Sequence, residues 1–256
     1  MERPAIPPDA ASPLQRGLVH RVAAEVRWAF TPPRWWLSGV AVNLGLSLLW
    51  LLWEPVRPEG HRDWVVLVGT YFASFILADV TTTNVLGADA SRVRLSLDRG
   101  IELRRLLVTK NLALLVIVGA PTLALTGVLT AMNEGLSRLA VTLPDVALPI
   151  LAWLGVGNLV SVVLPVVIVP VRQRWTQRRD PRGTSRWLIH LALPYGLYYL
   201  VAPVGGTSRL LLGSALSRSL GPVGRADVHA LIGALIWVLG TLCATAHVRL
   251  RGLRLR

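Results

Sequence analysis

The chain has 256 residues, of which 53% are apolar and only 16% charged, with 27 Lys and Arg against 14 Asp and Glu for a net charge of +13. A mean hydropathy of +0.52 fits a membrane protein, although a chain of this length could otherwise make one or two soluble domains. The basic excess does not call for a nucleic-acid partner, because it is distributed along the chain as a polytopic membrane protein distributes it.

Residues 1–34 read as a cytoplasmic arm, too polar and Pro-rich at the start for a cleaved signal. From Leu14 to Phe30 the pattern is helical: Leu18, Val19, Val22, Ala23, Val26 and Phe30 share one arc, and Arg16, His20, Arg21, Glu25 and Arg27 oppose it. Such a helix either lies flat on the inner membrane surface or is a solvated amphipathic cap that packs on its own bundle. Thr31, Pro32 and Pro33 end it, and Arg34, Trp35 and Trp36 mark the headgroup level. Residues 35–256 then form a single transmembrane domain. Six apolar stretches, at 35–53, 64–86, 112–132, 146–169, 187–204 and 228–248, are each near the roughly 20 residues that cross a bilayer as a helix. The expected fold class is therefore all-α, a six-helix integral membrane protein with an amphipathic interfacial helix at its N-terminus.

Charge placement orients these spans. All basic residues except Arg57, Arg62, Arg138, Arg209, Arg218 and Arg225 fall in the N-terminal arm, the second connection, the fourth connection or the tail. The positive-inside rule then puts both termini in the cytoplasm, with the arginine stripes drawn to anionic lipids of the inner leaflet. Arg outnumbers Lys 26 to one, which hints at a GC-rich bacterial genome and a plasma-membrane location.

Few side chains inside the spans carry chemistry. Asp79 is the only formal charge well inside a span, and burying its carboxylate costs on the order of 3 kcal/mol unless it is paired or protonated. Substrate, proton or ion contact and a packing hydrogen bond are equal readings for it, and His190 in the fifth span raises the same question. Asn43, Asn158 and Tyr195 supply further polar edges to a path between helices, while Pro121, Pro165 and Pro194 can kink the helices that carry them. Cys243 stands alone and offers neither a disulfide nor a cysteine metal site. Zinc-protease helices, a Gly-x-Ser-x-Gly elbow and a P-loop are all missing from the sequence, so an enzyme is not expected and any ATP must be bound by another polypeptide.

The second connection is the most distinctive segment. Residues 84–112 read NVLGADASRVRLSLDRGIELRRLLVTKNL: a helix end, a Gly-Ala-Asp junction, an Arg-rich helical segment, a break at Gly100 and a second helix leading through Lys110 into the third span. The run Asn84, Gly87, Asp89 and Lys110 resembles the corresponding stretch in permease subunits of type-2 ABC exporters. Gly157, Asn158, Ser161 and Pro165 in the fourth span are similar to a second run of the same permeases. A Pro common in that family's second connection is replaced here by Asp98-Arg99-Gly100.

The resemblance implies half of an export pathway. A second permease, identical or related, would complete it, and a cytoplasmic P-loop ATPase subunit, holding ATP and Mg, would drive it; this chain itself would bind no cofactor and no metal. Arg92, Arg94, Arg99, Glu102, Arg104 and Arg105 would form the loop that couples to the ATPase, and the cargo would be lipophilic or amphipathic: a drug, lipid, glycolipid or peptide. In the same family the 203–226 region resembles a pair of re-entrant helices, with a flat amphipathic helix as the simpler alternative. A proton-coupled secondary transporter using Asp79 and His190 is the competing expectation.

Overall fold

The computed structural model describes residues 17–31, 64–77, 80–166, 181–201 and 219–253, with positions 41 and 45. Apart from those two positions the expected first span lies outside the described residues. So do Asn43, Asp79, the fourth connection from 167 to 180, most of 203–226 and the side chain of Tyr195.

Every regular element among the described residues is helical. In chain order these are α1 (Leu18–Ala29), α2 (Trp64–Leu77), the short α3 (Val80–Thr83), α4 (Ala90–Asp98), α5 (Leu103–Asn133), α6 (Leu139–Val163), α7 (Pro181–Val201) and α8 (Gly221–Arg251). A single 3₁₀ turn, Leu136–Arg138, joins α5 to α6. Two of the long helices, α5 and α8, and the segment Leu136–Val163 are long and apolar enough to cross a membrane. At about 1.5 Å per residue the 31-residue α5 and α8 each reach roughly 46 Å, well beyond a hydrocarbon core of about 30 Å. The surplus explains why α5 begins nine residues before the expected span and carries Arg104, Arg105 and Lys110 on its first turns.

Local chemistry explains where the helices bend and stop. A wider π-helical turn, Leu115–Gly119, interrupts α5 just before Pro121, whose ring crowds the carbonyl of Ile117 and whose nitrogen cannot donate. The expected fourth span ran to residue 169, yet α6 ends at Val163. Leu164 precedes Pro165, a position at which the α conformation is disfavoured, and it adopts φ −134° and ψ 58°. Between α4 and α5, Gly100 takes φ +79°, its N–H donates to Leu97 O and that of Ile101 donates to Ser96 O. This is a Schellman stop, which a left-handed glycine permits.

The central helix is α6. It is buried along most of its length, whereas α5 and α8 leave apolar side chains outward, among them Leu125, Val128 and Met132 on α5 and Leu231, Leu235, Val238, Leu239 and Leu242 on α8. Apolar surface this extensive, on helices of this length, suits hydrocarbon rather than water. The contact between α6 and α8 is made by backbone. Methyl groups added at Gly155 or Gly240 would run into the main chain of the opposite helix, and one at Gly233 would come within 2.9 Å of the Leu148 backbone. Small residues replace the missing hydrophobic driving force by letting helices approach closely.

Contacts also give the helix directions. Asp145 meets His229, Leu148 meets Gly233, Gly155 meets Gly240 and Asn158 meets Thr241, so α6 and α8 run parallel. Gly69 on α2 lies against Val146 and Thr83 on α3 against Gly157, so the α2–α3 stretch runs parallel to α6 as well; Gly119 against Ile150 and Gly127 against Leu143 make α5 antiparallel. Ends of like charge therefore coincide. Ala29, Leu86, Val93, Leu103, Leu107 and Ala244 share one apolar cluster, which gathers α1, α4, the base of α5 and the Arg249–Arg251 end of α8. Arg138 and Arg225 stand at the opposite end, beside the Asp145–His229 pair at 2.8 Å.

Candidate functional site

The Arg-rich end is built on a buried charge cluster. Lys110, two turns into α5, is 5% exposed, and its ammonium lies 2.5 Å from Glu25 Oε1 on α1 and 3.2 Å from Asp89 Oδ2 at the start of α4. Arg92 reaches the same two carboxylates, at 2.9 Å and 3.1 Å. Trp28 closes the cluster with its ring 4.6 Å from the Arg92 guanidinium and 5.3 Å from the Lys110 ammonium, both within cation–π range. Two cations and two anions thus join α1 to the consecutive helices α4 and α5, with Glu25 67 and 85 positions from Arg92 and Lys110.

The two carboxylates differ in their proton affinity. Burial raises the Glu25 pKa, but Lys110 and Arg92 beside it, both hydrogen-bonded to it, outweigh burial and hold it below the ordinary 4.5. Asp89 is raised above the ordinary 3.8: burial dominates, the neighbouring Glu25 charge adds to it, and its contacts to the same two cations are longer.

Glu25 is the residue that sequence reasoning missed. The helical pattern puts it on the polar arc, expected to face water; instead that arc, with Arg21, Glu25 and Trp28, faces α4 and α5, and Glu25 is buried. Of the apolar arc, Leu18, Val19 and Phe30 are exposed, Val19 to 83%, while Val22, Ala23 and Val26 are half-buried. Helix α1 therefore packs on its bundle through Arg21, Glu25, Trp28 and Ala29 and leaves part of its apolar arc exposed. The available signal was one carboxylate within the otherwise basic stretch 16–34.

Coupling-loop residues divide into two sets. Arg92 is committed to the cluster; Arg94 and Arg104 point outward, while the exposed Arg99 and Arg105 edge a cleft between α1, α4 and the first turns of α5, with Arg105 3.4 Å from the equally exposed Glu102. An exposed pair of that kind contributes little. The Schellman turn at Gly100 joins α4 to the base of α5, and Val93 shares an apolar cluster with Leu103, Leu106 and Leu107, so these arginines sit on a packed helix–turn–helix.

The two motif runs meet at the end of α6. Asn84 clamps Val166 with both arms of its amide, Nδ2 donating to the Val166 carbonyl and Oδ1 accepting from the Val166 N–H at 3.1 Å. Any side chain at Gly87 would strike this clamp. Gly157 lies on the backbone of Thr83, Asn158 donates to Thr241 Oγ1 at 2.8 Å, and Ser161 donates to the Asn158 carbonyl at 3.0 Å. Beyond Pro165, fully buried His190 lies 2.7 Å by Nδ1 from the Leu164 carbonyl and 3.4 Å by Nε2 from Thr83 Oγ1. These residues hold the non-helical 164–166 segment in place. Asp89 and Lys110, from the first run, are in direct contact. The structure thus brings together Asn84, Gly87, Gly157 and Pro165 around one junction and Asp89, Arg92 and Lys110 around another.

Compared with protein-family models, curated proteins and solved structures, the chain matches none.

Proposed function

We propose that this chain is the permease subunit of an ATP-driven type-2 exporter in a bacterial plasma membrane, with six spans and both termini in the cytoplasm. One observation carries the reading: an Arg-rich helix–turn–helix, α4 with the first turns of α5, projects Arg94 and Arg104 outward and is tied by Glu25, Asp89, Arg92 and Lys110 to α1 and to a membrane-length helix. A partner that moves α4 moves α1 and α5 with it, because separating them would leave charges buried and unpaired. The outward arginines suit carboxylates on an ATPase subunit, which would bind the ATP and Mg. A second permease would complete the path, and the cargo would be lipophilic or amphipathic.

The proton-coupled alternative needs a titrating path through Asp79 and His190. Asp79 is outside the described residues, and the fully buried His190 is engaged with Leu164 and Thr83, which favours a structural role for its ring.

The test is co-purification. The tagged chain, extracted from native membranes in mild detergent, is expected to bring a P-loop ATPase in stoichiometric amount and to lose it when Arg94 and Arg104 are replaced by Glu. A stable preparation without an ATPase would reject the permease reading.

A further inference from the structure

The polar side of α1 does more than bind Lys110. Between α1, α4 and the first turns of α5 is a cleft of about 260 Å³ whose walls carry Arg21, Arg92, Arg99 and Arg105. The carboxylates in its wall, Glu25 and Asp89, are engaged by Lys110 and Arg92. Arg21 and Arg99 are therefore in excess, and Arg105 has only its exposed contact with Glu102. Arg21 Nε is itself buried and has no hydrogen-bond partner among the described residues. A buried guanidinium N–H without an acceptor is costly, and the group that would satisfy it best here is a compact anion with several oxygens. The cleft is smaller than a drug-sized pocket and of the size of a phosphate with a short polyol.

We propose that this cleft binds a phosphate ester, with Arg21 and Arg99 donating to its oxygens. The ester can belong to an anionic lipid headgroup or to a soluble metabolite. The exposed Leu18, Val19 and Phe30 put apolar side chains suited to acyl chains on the helix that forms one wall of the cleft, and favour the lipid. Occupancy would bridge α1 to the α4–α5 turn and tighten the element proposed to couple to the ATPase, although the cleft itself does not depend on that reading.

The test uses the purified full-length chain, stripped of lipid in an uncharged detergent and titrated by native mass spectrometry with dihexanoyl phosphatidylglycerol, dihexanoyl glycerol or glycerol 3-phosphate. Phosphatidylglycerol is expected to bind as one copy per chain, and dihexanoyl glycerol at least tenfold more weakly. Arg21→Gln and Arg99→Gln should each weaken phosphatidylglycerol about tenfold, the scale of one charge-assisted hydrogen bond, while Arg27→Gln, on the exposed part of the same helix, should not. Glycerol 3-phosphate binding as tightly as the lipid, with the same arginine dependence, supports the site and makes its source soluble. Equal binding of dihexanoyl glycerol and phosphatidylglycerol overturns the proposal. So does wild-type binding in both cleft variants, and the exposed Arg99 keeps this outcome readable even if Arg21→Gln disturbs folding.

Discussion

Replacing Lys110 by Met removes the ammonium and keeps the length of the side chain. At an effective dielectric of about 20, contacts of 2.5 Å and 3.2 Å correspond to gross attractions of roughly 7 and 5 kcal/mol, offset by the several kcal/mol needed to dehydrate the ammonium. What remains after substitution is two buried carboxylates sharing Arg92 alone. Removing one partner of a buried ion pair costs about 3–5 kcal/mol, and the surviving Arg92 contacts put this case near the lower value. Most of that cost falls on the seating of α1, since Glu25 leaves its site by undocking that helix. Amide hydrogen exchange in a peptide spanning 18–29 should then speed up roughly a hundredfold, at about 1.4 kcal/mol per factor of ten, while exchange in α6 stays unchanged. The double variant Glu25→Gln with Lys110→Met should recover part of the protection, because the uncompensated charge is gone. Unchanged exchange in α1 of the single variant would refute the assignment of this cluster as the link between α1 and α5.

Three further outcomes follow from the same contacts. Acid should release α1 only below about pH 4.5: Glu25, depressed when folded, stabilises docking above 4.5 and loses that contribution as pH falls through its lower folded value. Asp89, raised when folded, has the opposite sign and opposes docking as pH rises through its value, so its protonation on acidification does not release the helix. Nitroxides at positions 19 and 94, read by pulsed dipolar spectroscopy, should keep one narrow distance from pH 7 to 5; broadening already near pH 6 contradicts this assignment. Gly155→Leu should abolish a monodisperse folded preparation in detergent, whereas Gly127→Ala, where an added methyl meets Leu143 and Leu139 at 3.7 Å or more, should shift the melting midpoint by no more than a few degrees. Asn84→Ala, which deprives the half-buried Val166 backbone of both hydrogen bonds, should cost about 1–2 kcal/mol and lower the midpoint of thermal unfolding in detergent; an unchanged midpoint contradicts the clamp.

Local patterns proved legible where they rest on short-range chemistry. The α1 periodicity, the Arg-rich helix, the Gly100 break and the approach of α5 to Lys110 all depend on side-chain period or backbone freedom, and each appears where the sequence puts it. The direction in which α1 faces was not legible. An amphipathic pattern says that two arcs differ, while only the presence of Lys110, 85 positions away, buries Glu25 on the polar one. Clamping of Val166 by Asn84 and the burial of His190 likewise join residues tens of positions apart, for which single-sequence reasoning offers chemistry without a partner. Helix ends moved for a simpler reason: hydropathy marks the hydrocarbon portion of a helix, and hydrogen bonding continues α5 past it until a Gly turn stops it, whereas Pro165 cuts α6 short.

Photocrosslinking at position 94 tests the central claim most directly. A photoreactive amino acid there, irradiated in cells that carry the full-length chain and its native neighbours, is predicted to yield one adduct whose peptides contain a P-loop, and position 138 at the opposite end of the bundle should yield no such adduct. Adducts at position 94 that contain only lipid, or an ATPase captured equally from position 138, would contradict the account.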